Sequence, residues 1–88
     1  MSGRRSFKKF ESRLERIGLR NQIHSRALEM HVSLRELYEG PSRAPSIVAA
    51  RRDVYKWLND MGKGINEIAR LFDRAPSGVQ RMIRGSGS

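Results

Sequence analysis

The chain has 88 residues, with 18 Lys and Arg against 9 Asp and Glu, a formal net charge of +9 and no cysteine. A single domain of this size has little room for a catalytic cleft with its own supporting residues, so no enzyme is expected, and the lack of thiols excludes disulfides and thiolate metal sites. With a sequence pI of about 11.3, the cation surplus makes nucleic acid the first partner to consider.

The N-terminal segment carries Phe7, Phe10, Leu14 and Ile17 at steps of three and four, an apolar helix face with Arg4, Lys8, Arg13 and Glu15 turned away from it. This predicts a basic amphipathic helix ending near Gly18. Its apolar face either packs on the rest of the chain or pairs with a second copy as a homodimer. Leu19, Ile23, Ala27 and Met30 continue at helical spacing, as a second helix over about 19–29 or as an extension of the first. Ser33 and Glu36 form a capping box at the start of a short helix containing Leu34, Leu37 and Tyr38.

Gly40-Pro41-Ser42-Arg43-Ala44-Pro45 reads as an exposed basic loop. Ser46 is positioned to cap the longest helix, whose apolar stripe is Ile47, Ala50, Val54, Trp57, Leu58 and Met61. Arg51, Arg52, Lys56 and Asn59 fall off that stripe. Trp57 is expected in the core, and Tyr55 is undecided. After Gly62-Lys63-Gly64, the residues Ile65, Ile68, Ala69 and Phe72 predict a two-turn helix starting at Asn66 or the glycine. Beyond Asp73 to Ala75, Val79, Met82 and Ile83 supply a last apolar face, and Gly85-Ser86-Gly87-Ser88 reads as a flexible tail. No alternation typical of strands occurs, so the fold class expected is all-α, with a basic helix over 1–18 and a helical domain over 19–84.

The cations fall in two blocks: residues 1–26 carry a net +6 and 43–88 a net +5, while 27–42 carry −2. The second block contains a pair of short helices joined by about three residues and preceded by an amphipathic helix, the outline of a helix-turn-helix. Pro76 suits the first position of a helix, where its missing N–H is not needed. Ser77, Gly78, Gln80, Arg81 and Arg84 are left outward, small and basic residues fit to lie against a duplex, and Gly78 permits close approach of a backbone.

These residues resemble the C-terminal DNA-binding domain of the bacterial replication initiator DnaA, of the same helix-turn-helix superfamily as the Trp repressor. Val32 to Leu37 looks like that family's short helix, Ile47 to Leu58 like its long helix with an internal arginine, and Glu67 to Phe72 like the segment opening its helix-turn-helix. The resemblance covers roughly residues 20–84. It implies DNA binding in which Arg43 enters the minor groove and Arg52 and Arg74 meet DNA; in a duplex-binding reading of the whole chain Lys56 and Lys63 add backbone contacts. The family's Arg-Asp-His-Thr-Thr-Val signature appears here as Arg74-Ala75-Pro76-Ser77-Gly78-Val79, so the frame is kept while the side chains that would read the family's box are replaced. No part of these 88 residues resembles the initiator's ATPase portion.

The partner expected is therefore double-stranded DNA, for a transcription regulator or nucleoid architectural factor in the cytoplasm. A protein-interaction adaptor on the same scaffold and a phage or mobile-element DNA-packaging subunit remain alternatives. No cofactor, metal, small-molecule substrate or membrane contact is expected. His24 and His31 lie seven apart, a spacing unlike the i, i+4 pairs of metal sites.

Overall fold

The computed structural model describes residues 7–40 and 44–84. Arg43, the cation assigned to the minor groove, lies outside the described residues, as do Arg4, Pro41 and the tail. The described residues form six helices and no strands: α1 Phe7–Arg16, α2 Arg20–Glu29, α3 Leu34–Glu39, α4 Pro45–Asp60, α5 Ile65–Phe72 and α6 Pro76–Arg84. The fold is all-α, as its apolar periodicity dictates. Among the described residues, no helix is long and apolar enough to cross a membrane.

Local chemistry sets each boundary. Gly18 has φ +76, a left-handed backbone that glycine enters without steric cost, so α1 and α2 are separate helices and not one continuous element. The capping box of α3 is complete: Ser33 Oγ accepts from the Glu36 N–H at 3.0 Å and Glu36 Oε1 accepts from the Ser33 N–H at 2.9 Å. The expectation for Ser46 is corrected. The long helix begins one residue earlier, with Pro45 in its first turn and Ala44 at the cap, and no side-chain cap bond is made. Proline's fixed φ already favours a helix start, which leaves Ser46 inside the first turn. Gly64 caps α5.

The hydrophobic stripes predict the core well except where they overrun a helix. Ile17 and Met61 are 37% and 49% exposed, and each directly follows the last residue of its helix, where the helical phase is lost. Trp57 is also only partly buried; it lies at the core's edge with the Arg26 guanidinium 4.9 Å above its ring. Tyr55 is the buried aromatic of α4, edge-on to Phe72 at 5.0 Å. Phe10 and Leu14 are wholly buried within this chain, so the segment set apart as 1–18 shares its core with residues 19–84. Phe10 stacks on Tyr38 at 4.4 Å and meets Phe72 at 5.0 Å. A column of aromatic rings thus joins α1, α3, α5 and α4.

Arg51 is a second correction, because it is 2% exposed and not part of a solvated face. It lies one helical turn from both Ile47 and Tyr55, on the buried side of α4. Its Nε donates to Leu37 O and its Nη2 to Gly40 O, both at 3.0 Å. A guanidinium thereby caps the carbonyl end of α3, where a cation is favoured and orphan acceptors need donors. Arg51→Ala would strand buried carbonyls and open a cavity; we expect a loss of about 3 kcal/mol of unfolding free energy by urea titration, with helical content retained in the folded state.

Candidate nucleic-acid interface

α5 and α6 pack on each other and on α4, joined by Asp73, Arg74 and Ala75. The turn is made by Asp73 in the left-handed region, φ 55 and ψ 45, a conformation that a short polar side chain tolerates better than most. The carboxylate is anchored from two other helices: Asp73 Oδ2 accepts from Arg13 Nη2 at 2.6 Å and from Tyr38 OH at 2.5 Å. Arg13 Nη2 also reaches Leu71 O at 3.1 Å. Arg13, read from the sequence as turned away from the core, is instead half-buried and holds α1 to the end of α5.

Arg74 is likewise engaged inside the molecule. Its Nη2 donates to Tyr38 O at 2.9 Å, its Nε is buried, and the residue is only partly exposed. It ties the turn to α3 and borders the surface concavities on either side of the turn. Its expected role as a DNA-facing cation is thus joined to a positioning role that the sequence did not indicate.

Val79 is wholly buried, and Met82 and Ile83 pack partly against the core. This orients α6 so that Pro76, Ser77, Gly78, Gln80, Arg81 and Arg84 are exposed. Gly78, Arg74 and Arg81 border one groove, with Arg51 and Tyr55 on its α4 side. On the other side of the turn, Asn66, Arg70, Asp73, Arg74 and Pro76 border a second open concavity. Asn66 and Arg70 were missed by the sequence reading. Their signal was present, since residues 66, 70 and 73 follow the i, i+4, i+7 spacing of the polar side of α5.

The remaining candidates lie elsewhere. Lys56 is exposed and Arg52 half-buried on α4, and neither borders the two concavities. Lys63 is half-buried, with its Nζ 3.3 Å from Glu67 Oε2. His31 sits past the end of α2 at φ 61, so His24 and His31 do not share a continuous helix face. Among the described residues, no group of three or more His, Cys, Asp or Glu could hold a metal ion.

The outer face of α6 is positive, and the exposed carboxylates beside it are paired within the chain. α6 itself has no acidic residue, while nearby Glu67 pairs with Lys63 and Asp73 with Arg13. An arginine face with its neighbouring carboxylates engaged can take anionic oxygens, and Ser77 and Gln80 can donate or accept at a base edge.

Burial, then the hydrogen bond to Asp73 and its negative charge, push the Tyr38 phenol up from 10.0 to about 12. The folded state therefore holds this proton more tightly than the unfolded chain does. The resulting stability is complete below pH 10 and is lost as pH rises from about 10 through 12. Tyr38→Phe keeps the ring stacked on Phe10 and removes only the hydroxyl. We expect it to lower stability by about 1 kcal/mol at neutral pH, and the difference from the parent in thermal melts should shrink between pH 10 and 12; an unchanged difference would mean that the phenol does not sense the fold. In comparisons with known proteins, no family model, curated protein or solved structure matches this chain.

Proposed function

We propose that the protein binds double-stranded DNA, with α6 entering the major groove, as a transcription regulator or nucleoid architectural factor. The observation that carries this reading is the outer face of α6, where small, amide and basic side chains surround a glycine that nothing inside the protein requires. A Cβ built on Gly78 meets no atom within 4 Å, and its φ is not positive. Glycine within a helix costs about 1 kcal/mol relative to alanine. Close approach of a sugar-phosphate backbone from outside accounts for accepting that cost.

The start of α6 supports the same reading. Ala75 O accepts the first bonds of the helix, from Gly78 N and Val79 N, and Pro76 has no N–H, so the first turn leaves the Ser77 N–H, with the Ser77 hydroxyl beside it, for a phosphate oxygen. Nine residues make α6 about 13 Å long, comparable to a major groove about 12 Å wide. The resemblance of residues 20–84 to the initiator domain is in line with this use, and the altered signature argues for a different or relaxed sequence preference. In this reading Arg70, Arg74 and Arg81 meet phosphates or base edges near the turn, and Arg84 meets the backbone at the far end. Arg43 is the cation for the minor groove, and Arg52, Lys56 and Lys63 are supplementary backbone contacts.

Mobility shift of random-sequence duplex over a salt series is the primary test. Arg70→Ala combined with Arg81→Ala should leave the melting temperature close to the parent's and reduce the slope of log K against log salt by about 2. An unaltered slope would rule out the groove assignment, and no duplex affinity even at low salt would favour a protein-interaction adaptor. Gly78→Ala should raise stability by roughly 0.5–1 kcal/mol and weaken duplex binding. Stabilisation without weaker binding would show that no backbone approaches there.

A further inference from the structure

α1 is divided lengthwise by charge. Its two carboxylates both turn toward Arg20 at the start of α2, Glu11 Oε2 lying 2.5 Å from Nη2 and Glu15 Oε2 lying 3.6 Å from Nε. The other side presents Lys8, Lys9, Ser12, Arg13 and Arg16 around one open trough, with no carboxylate among these bordering residues. Like charges one turn apart on a helix repel by a few tenths of a kcal/mol per pair. Folding alone therefore does not favour the arrangement, whereas an anionic partner would.

The position of the trough is fixed by one of its own residues. Arg13 reaches from its wall to Asp73 Oδ2 and Leu71 O, so the trough abuts the turn from which α6 starts. Lys8, Ser12 and Arg16 are exposed beside it. From Lys8 to Arg16 the helix rises about 12 Å, enough to follow roughly two phosphates of one strand.

We propose that this trough is a phosphate-backbone clamp, in which Lys8 and Arg16, with the Ser12 hydroxyl between them, hold the duplex strand that borders the N-terminal end of α6. The proposal rests on the reading of α6 as a groove-entering helix and adds what that reading lacks, a second flank. Arg84 lies at one end of α6 and the α1 trough beside the other. The duplex is thereby held by both strands that frame the groove, and its polarity relative to the protein is set. The role of Arg13 is to hold the trough at that place, since its guanidinium is already bonded to Asp73.

The test uses the full chain with Lys8→Ala and Arg16→Ala combined. Both side chains are exposed, so the fold should persist, as circular dichroism and the melting temperature will report. Two readouts are needed: the salt dependence of duplex binding, and ethylation interference, which marks the phosphates whose modification blocks binding. The expected result is a slope reduced by about 2, affinity at about 0.15 M salt lowered tenfold or more, and interference lost on one flank but retained on the other. Parent-like slope and interference in the variant would overturn the clamp and leave the α6 reading standing. Equal weakening on both flanks would also overturn it, in favour of diffuse attraction. Failure of the parent protein to bind any duplex at low salt would remove both proposals.

Discussion

Asp73 ends α5 in a left-handed backbone, and its carboxylate accepts hydrogen bonds from Arg13 of α1 and Tyr38 of α3. A non-glycine residue in this region of φ and ψ costs about 1 kcal/mol or more, and the two charge-assisted bonds offset it. The turn between α5 and α6 is thus held by contacts more than thirty positions away in sequence. Removing the carboxylate would leave the strained backbone without its anchor and Arg13 without its acid. Tyr38 gathers the same region from three directions: its ring stacks on Phe10, its hydroxyl bonds Asp73, and its carbonyl accepts from Arg74. The angle at which α6 meets solvent therefore depends on α1 and α3 as much as on the helix pair itself.

The same pairing decides where the net charge appears. The carboxylates Glu11 and Glu15, Glu39, Asp53, Glu67 and Asp73 each have an arginine or lysine partner within 4 Å. Single exposed pairs of this kind contribute little to stability. Their larger effect is on the field: with these six acids paired within the chain, the Lys8–Arg16 side of α1 and the outer face of α6 remain positive. A polyanion meets those faces first, because attraction falls off over a Debye length of about 8 Å at physiological salt.

Much of the helical frame was legible because helix formation and burial leave a periodic trace. Phe10 and Leu14, Val54 and Leu58, and Ile68 and Phe72 were all placed on buried faces by spacing alone, and all are buried. The capping box at Ser33 and the proline at the start of α6 were legible for a different reason, since each acts on its own backbone. Polar side chains with distant partners were not legible. Arg51 was left off the apolar stripe because its acceptors, Leu37 O and Gly40 O, lie at the end of another helix. Arg13 and Arg74 looked like free cations for the same reason, and Asn66 and Arg70 were passed over because their polar spacing marks an exposed helix face but not the concavity that the turn makes of it.

The sequence by itself determined the helices, most of the core and the excess of positive charge, since these follow from propensity, apolar spacing and composition. Only the tertiary structure decided which arginines are structural and which remain available, because a guanidinium is claimed by carbonyls and carboxylates far along the chain, and such pairings leave no period to read. It also decided that the basic N-terminal helix belongs to the core, with Arg13 seated on the turn before α6. For Gly78 both were needed: its residue type removes a side chain, and the open space around it shows that nothing within the fold is the reason.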